Sequence, residues 1–374
     1  MLDRPARSKA LPERMAGCDV LFRVARRDTG LASVRYRALL PACALEDGAY
    51  RTRVCSREVP AQVHPRVAIA VKPLQAAEAA WVSDMRASGV PTVVDICDNI
   101  FVEGYGGASS AIADSFRTTI RNGLVTVPTE ALKAVVEENT DIAPDMVRVV
   151  PDIVESAELL RRQARMVDDR NPRFLQGQLA NRVAPWIQRG ARALGVGRPV
   201  LLWFGNHGGS YARFGLDDLT LWEDALRDAS ALGAQLWVVS NHRQRFEELR
   251  KALPIPTRYF EWSPSRVDAL LEISDVCLVP NSMDAFSRSK SPNRALKALA
   301  AGVPAVATPT PAMKELMGGV WLDEPSAGIR AYLEGAAIRE RHLASARTLM
   351  AEKFSMAALR DAMTDVVQGA LAHG

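Results

Sequence analysis

The stretch from Ser287 to Thr308 reads SRSKSPNRALKALAAGVPAVAT, and it decides the fold prediction. Pro292 suits the first turn of a helix, because the N–H that proline lacks would have no helical partner there. Residues 293–301 are almost all strong helix formers, Gly302 suits the C-terminal cap, and Pro304 opens an apolar run too short for another helix. The stretch therefore predicts a loop, a helix, a tight turn and a buried strand.

Two basic residues, Lys290 and Arg294, lie at the start of this predicted helix. Unpaired N–H groups and the helix dipole favour an anion at that end, and cations there oppose the dipole by about 0.3–1 kcal/mol unless an anion compensates. We therefore predict a phosphate site that also includes Ser291 and Asn293. The alternative is a solvated basic helix end.

Short apolar segments alternate with helical segments on both sides of this stretch. Strands are predicted at 19–25, 50–55, 66–71, 91–96, 124–128 and 146–152, and again at 199–204, 234–241, 257–262, 275–281, 304–308 and 318–322. Continuous apolar, β-branched strands are typical of parallel sheets that are covered on both faces. The sequence predicts an α/β protein with two doubly wound, Rossmann-like domains facing each other across a cleft.

The alternation also suggests domain boundaries. We predict a first domain over residues 1–155, a second over 199–354, and a terminal helical segment over 355–374. Residues 156–198 are charged and amphipathic, and they are predicted to form a helical connector. In the second domain, a short helix capped by Ser265 is expected between two strands.

Composition excludes some classes of protein. The 374 residues are 48% hydrophobic and carry a net charge of only +4, which is typical of a soluble globular protein and gives no support for nucleic-acid binding. Five cysteines without a C-x-x-C pair indicate neither zinc nor a disulfide framework, so a reducing cytoplasm is expected. No apolar run approaches the roughly twenty residues that span a bilayer, so any membrane contact is expected to be peripheral.

The segment 205–215, GNHGGSYARFG, follows a predicted strand in the second domain. Ligands in doubly wound folds bind at the carboxyl ends of strands. Gly205, Gly208 and Gly209 would allow backbone N–H groups to approach a phosphate, with Arg213 as a partner charge. A flexible turn is the alternative, because a glycine-rich loop alone is a weak signal.

The loop after the first strand, DTGLASVRYR at 28–37, is a candidate acceptor or cleft loop. It contains Gly30 and Ser33, followed by Arg35 and Arg37 near a helix start. Residues two apart on a helix do not share a face. One arginine is therefore expected to face the cleft and the other to pair on the surface.

Three residues are candidates for catalysis. Asp95 and Asp98 lie at the end of a predicted strand, where a carboxylate can act as a base or orient a sugar hydroxyl, or can cap the loop. His207 lies in the glycine-rich loop, although a lone histidine is more often structural. No nucleophile elbow, P-loop or H-E-x-x-H motif is present, and no D-x-D metal site is convincing, so no metal is predicted.

Several segments together resemble the GT-B glycosyltransferases, which have two Rossmann-like domains. SPNRALKALAAGVPAVAT at 291–308 is similar to the donor-site segment of that family. Supporting similarity lies in LLWFGNHGG, ISDVCLVPNS, SVRYRALLPA, GLVTVPTEALKAV and VRVVPDIV. The resemblance spans nearly the whole chain.

The resemblance implies metal-independent transfer of a sugar from a nucleotide-diphosphate sugar to a carbohydrate, lipid-linked or protein acceptor, without a cofactor. Assembly of a surface polysaccharide or glycoconjugate is the implied process. The terminal helix is implied to pack back on the first domain.

Ser289 and Lys297 stand where related retaining enzymes carry paired glutamates. A lysine cannot accept hydrogen bonds from a ribose diol. Three alternatives therefore stay open: a nucleotide-sugar epimerase of the same fold, a polyol-phosphate transferase, and a non-catalytic subunit that binds nucleotide sugar.

Overall fold

The computed structural model describes residues 17–56, 64–107, 111–121, 123–166, 190 and 197–373. Two parallel sheets of six strands each organise these residues. The first sheet has the order β2-β1-β3-β4-β5-β6 and contains β1 (Val20–Val24), β2 (Thr52–Cys55), β3 (Val67–Val71), β4 (Thr92–Asp95), β5 (Leu124–Val127) and β6 (Val147–Val149). The second has the order β12-β11-β10-β7-β8-β9 and contains β7 (Val200–Phe204), β8 (Gln235–Ser240), β9 (Thr257–Glu261), β10 (Val276–Val279), β11 (Ala305–Ala307) and β12 (Trp321–Leu322).

Helices cover both sheets. In the first domain they are α1 (Leu40–Asp47), α2 (Ala76–Ala87), α3 (Ala111–Ile120), α4 (Glu130–Asn139) and α5 (Ala157–Met166), and α1 is preceded by a helical turn at Ala32–Val34 and a π-helical turn at Arg35–Leu39. In the second they are α6 (Glu223–Ala231), α7 (Arg243–Arg250), α8 (Pro264–Leu271), α9 (Ala285–Arg288), α10 (Asn293–Ala300), α11 (Pro311–Lys314), α12 (Pro325–Glu334) and α13 (Ala336–Lys353). The last helix, α14, is Met356–His373.

The apolar strands explain why each sheet is covered on two faces. Leu21 and Phe22 in β1 are both completely buried, and they belong to hydrophobic clusters on opposite faces of the first sheet. Successive side chains of a strand point to opposite faces, so a strand that is apolar at every position needs helices on both sides. Leu201 and Leu202 in β7 divide in the same way between the two faces of the second sheet.

The predicted fold is therefore confirmed. The deciding stretch forms α10 and β11, and Gly302 between them has φ +77°, a left-handed conformation that glycine adopts without a Cβ clash. One detail of the prediction is wrong, because Ser263 rather than Ser265 caps α8. The Ser263 side chain accepts a hydrogen bond from Arg266 N, since the helix begins at Pro264.

The segment between β6 and α5 of the first domain is hydrogen-bonded to the end of the second domain, because Val154 N donates to the carbonyl oxygen of Phe354 at 3.1 Å. After Phe354 the chain returns to the first domain, where α14 packs against α1 and its buried Leu359 and Met363 join the core. Most of the predicted connector lies outside the described residues, which include only 156–166, 190, 197 and 198 of it. Within the described residues, no helix is both long and apolar enough to cross a membrane.

Candidate active site

Arg294 lies in the first turn of α10, at the carboxyl edge of the second sheet. Its Nη2 donates a hydrogen bond to Asn281 Oδ1 at 2.7 Å, and its guanidinium carbon lies 6.0 Å from the centre of the Trp203 ring. Gly205 leaves space beside it, because a Cβ at that position would be 3.5 Å from Arg294 Nη1 and 3.1 Å from the Trp203 ring. The guanidinium therefore stands in a narrow niche formed by the ends of β7 and β10.

The surroundings of Arg294 supply little negative charge. Burial lowers the pKa of this guanidinium, and the nearby carboxylate of Asp218 opposes that shift only in part. Asp218 is fully buried and accepts hydrogen bonds from Gly215 N at 3.0 Å and Ser282 N at 3.1 Å, while burial raises its pKa to about 6. Among the described residues, no carboxylate lies within ion-pair distance of Arg294, so the niche suits an external anion.

Lys290 lies just before the start of α10, and its side chain reaches the first domain, where Nζ forms an ion pair with Asp98 Oδ1. Lys72 of the first domain binds the other oxygen, with 2.5 Å between Lys72 Nζ and Asp98 Oδ2. The hydroxyl of Tyr105 also donates to Oδ2, at 3.3 Å. Burial opposes ionisation of Asp98, but the two ammonium groups outweigh it and hold the pKa of this carboxyl below its usual range.

Three hydrogen bonds join α9 and the loop between α9 and α10 to the first domain. Ser291 Oγ donates to Asp152 Oδ2 at 2.6 Å, and the backbone carbonyl of Ser289 accepts from Thr129 Oγ1 at 2.9 Å. Asn99 Nδ2 donates to the carbonyl of Ala285 at 3.1 Å. The predicted phosphate-site residues Lys290 and Ser291 therefore lie at the domain interface, together with Asp98.

Asp95 does not face the cleft. It is 2% exposed, and its Oδ2 lies 2.7 Å from Arg37 Nη2 and 2.7 Å from the hydroxyl of Thr126. Arg37 also pairs with Asp152 at 3.0 Å. Burial raises the pKa of Asp95, and Arg37 offsets part of that shift. This enclosed network joins the ends of β4 and β6 and leaves Asp95 without access to a substrate.

The expectation that one of the two arginines of the 28–37 loop pairs on the surface is wrong, because Arg35 and Arg37 are 6% and 2% exposed. Arg35 Nε donates to Glu155 Oε1 at 2.9 Å, and its guanidinium carbon is 5.7 Å from the ring of Trp262 in the second domain. The backbone N–H of Gly30 donates to Asp28 Oδ1 at 2.9 Å. Ser33 lies on the short helical turn Ala32–Val34.

The glycine-rich loop folds onto itself after β7. Gly208 has φ +114°, and a Cβ there would lie 2.7 Å from the carbonyl of Phe214. Arg213 is turned toward Thr220, whose Oγ1 accepts from Arg213 Nη2 at 2.5 Å. Gly205 borders the Arg294 niche, and Gly209 packs near Phe214 and Tyr211.

His207 lies in the same loop but pairs with another loop of its own domain. Its Nδ1 is 3.1 Å from Asn241 Oδ1, and its ring centre is 4.8 Å from that of His242. The structure therefore brings together Lys290 and Asp98, and separately Gly205 and Arg294. It does not bring His207 or Arg213 into hydrogen-bond contact with either pair.

Sequence reasoning missed Lys72. This residue directly follows β3 and has φ +53°, a left-handed conformation that is uncommon outside glycine and that clusters at functional sites. Lys72 follows the carboxyl end of a strand, which is the same signal that made Asp98 a candidate, so the sequence could have identified Lys72 as a candidate site residue as well. Lys297, which stands where a glutamate was expected from the resemblance, forms an ion pair with Asp268. Its Nζ lies 2.6 Å from Asp268 Oδ1, without a well-aligned hydrogen bond.

No group of three or more His, Cys, Asp or Glu side chains in the described ranges is placed to hold a metal ion.

Comparison with known proteins gives a match to a family model over part of the chain. Residues 198–332 match the family model described as glycosyl transferases group 1. A comparison with curated proteins gives no match.

Solved structures give the fold. HepE from Anabaena, in complex with UDP-glucose, is 12% identical, with 94% of this chain and 99% of that chain covered and a TM-score of 0.63. A glycosyltransferase from Rickettsia africae is 10% identical, with coverages of 95% and 99% and a TM-score of 0.61. WaaG, a glycosyltransferase involved in lipopolysaccharide biosynthesis, is 16% identical, with coverages of 94% and 100% and a TM-score of 0.60.

Two six-stranded α/β domains, with the strand ends of each sheet at the cleft between them, give this chain the fold of the GT-B glycosyltransferases. The part of the second domain over residues 198–332 is similar to the group 1 glycosyltransferases.

Proposed function

We propose that this enzyme transfers a sugar from a nucleoside-diphosphate sugar to an acceptor hydroxyl, and that the diphosphate binds at the start of α10. The observation that carries the proposal is Arg294, a guanidinium with no carboxylate partner among the described residues and one hydrogen bond to a neutral amide. Phosphate oxygens accept paired hydrogen bonds from a guanidinium, and a helix start adds free N–H groups. Solved structures of HepE contain UDP-glucose, or UDP and glucose, which supports a nucleotide donor.

The proposed donor site has a cation on each side of the helix start. Arg294 would bind one phosphate within the niche, and Lys290 would reach the other from the domain interface. Ser291, Asn293 and the N–H groups of the 205–209 loop would complete the set, with Arg213 as an outer charge. These groups would stabilise the diphosphate as it leaves with the electron pair of the glycosidic bond, which is where negative charge develops in the reaction.

The acceptor would enter from the first domain, whose strand-end loops face the same cleft. Gly30 belongs to the loop after β1, Ser33 to the helical turn that follows it, and Asp98 to the loop after β4. Asp95 is not part of the proposed catalytic set, because Arg37 encloses it. We propose assembly of a surface polysaccharide or glycoconjugate as the process, and the role of WaaG in lipopolysaccharide biosynthesis supports this class of acceptor.

A donor screen tests the proposal. The full-length chain is incubated with UDP-, GDP-, CDP- and dTDP-linked sugars, with and without oligosaccharide and lipid-linked acceptors, and both the released nucleotide and the sugar product are measured. We expect acceptor-dependent release of one nucleoside diphosphate and a new glycosidic bond. An altered sugar still attached to its nucleotide would show epimerisation instead, and tight nucleotide binding without any product would show a binding subunit.

A further inference from the structure

Asp98 holds two ammonium groups from opposite sides of the cleft. Lys72 belongs to the same domain as Asp98, whereas Lys290 belongs to the second domain and to the proposed donor site. We propose that Lys290 leaves Asp98 for the donor diphosphate, and that the freed oxygen of Asp98 then positions the acceptor hydroxyl. This inference rests on the proposed function and assigns to it a binding order and an acceptor-binding residue.

Charge balance favours the exchange. One carboxylate and two ammonium groups leave an excess of one positive charge in a partly enclosed space, where the side chains of Asp98 and Lys72 are only 14% and 24% exposed. When Lys290 moves away, the pair that remains is neutral. The excess charge is then placed beside the phosphates, which carry negative charge.

The geometry also permits the exchange. Lys290 precedes the first residue of α10 by three positions, so its backbone already lies beside the proposed phosphate site. Its side chain is 35% exposed and crosses the ring of Phe286, with 4.1 Å between Nζ and the ring centre. A lysine has a flexible four-carbon stem with three rotatable donors, so it can change partners without a change in the backbone.

The oxygen that is freed would be ready to bind a hydroxyl. Lys72 and Tyr105 hold Oδ2, at 2.5 and 3.3 Å, and so fix the orientation of the carboxylate while Oδ1 is open. Lys72 keeps the carboxyl ionised, which makes Oδ1 a strong hydrogen-bond acceptor and a weak proton base. Asp98 would therefore orient the acceptor hydroxyl toward the donor sugar, and this oxygen would become available only after the donor has bound.

The test uses Asp98→Asn in the full-length chain. Calorimetry measures its affinity for whichever of UDP, GDP, CDP and dTDP binds the wild type most tightly, and a transfer assay measures kcat/KM for the acceptor. We expect about fivefold tighter nucleotide binding, equal to about 1 kcal/mol at 1.4 kcal/mol per tenfold, because Lys290 no longer has to leave a carboxylate. We also expect kcat/KM for the acceptor to fall about 100-fold. The matched control is Asp114→Asn, which breaks an exposed pair with Arg117 in the same domain and should change neither value more than twofold.

A double-variant cycle isolates the exchange from any general loosening of the interface. In a Lys290→Ala background, Asp98→Asn should give no gain in nucleotide affinity. A gain that persists without Lys290, or a wild-type affinity in Asp98→Asn, would overturn the exchange. Full acceptor turnover by Asp98→Asn would overturn the acceptor role. A wild-type chain that binds no nucleoside diphosphate would overturn the proposed function and this inference with it.

Discussion

Replacement of Arg294 by glutamine should remove most of the affinity for a nucleoside diphosphate while leaving the fold intact. Glutamine retains an amide N–H that can donate to Asn281 Oδ1, the hydrogen bond that arginine makes at 2.7 Å. What is lost is the charge and the paired donors that face the niche. Hydrogen bonds to charged groups contribute about 1.5–3 kcal/mol each, so the loss of two corresponds to at least about 3 kcal/mol.

At about 1.4 kcal/mol per tenfold, this predicts a decrease in affinity of at least about 100-fold, measured by calorimetric titration of the preferred nucleoside diphosphate. The free energy of unfolding, measured by urea denaturation, should not fall by more than about 1 kcal/mol, because burial already disfavours the charged guanidinium. Arg330→Gln removes an exposed arginine of the same domain and serves as the control. Affinity within threefold of the wild type in Arg294→Gln would refute the assignment of the niche.

Three further predictions concern stability and pH. Gly208→Ala should lower the free energy of unfolding by at least about 1 kcal/mol more than Gly233→Ala, because both glycines have positive φ but only Gly208 would bring a Cβ against backbone, 2.7 Å from a carbonyl oxygen. Urea denaturation of the pair checks this, and equal losses would contradict it. Arg37→Ala should cost about 3–5 kcal/mol in the same assay, because it leaves two buried carboxylates without their cation, and a loss below 1 kcal/mol would be inconsistent with that pairing. Burial raises the pKa of Asp218 to about 6 in the folded chain, so the unfolded chain releases this proton at a lower pH than the folded chain does. As pH rises from 4 to 7, the wild type should therefore lose up to about 3 kcal/mol of stability relative to Asp218→Asn. Stability curves of the two proteins that run parallel over this pH range would contradict a buried carboxyl that is protonated in the folded state.

Much of the fold was predictable because its signals are local. The helix predicted at 293–301 is observed at Asn293–Ala300, and the turn at Gly302 follows from the conformational freedom of glycine. Ser263 and Ser265 show the limit of such signals. Both are good N-caps and both precede helix-forming residues, and Pro264, which suits the first turn, marks which of them is used.

The site was predictable only as a set of strand-end loops, because its contacts depend on how two domains meet. Asp98 and Lys290 are 192 positions apart in the sequence, and no spacing rule connects them. One of Arg35 and Arg37 was expected to face the cleft and the other to pair on the surface, because residues two apart on a helix do not share a face. Their buried carboxylate partners, Glu155 for one and Asp95 with Asp152 for the other, come from distant parts of the chain.

The central claim is that a nucleoside diphosphate binds at the start of α10, and a crystal structure of the chain with its preferred nucleoside diphosphate tests it most directly. We predict phosphate oxygens within hydrogen-bond distance of the Arg294 guanidinium and of Lys290 Nζ, with Lys290 withdrawn from Asp98. A nucleotide bound elsewhere, with Lys290 still paired to Asp98 and no phosphate beside Arg294, would contradict the claim.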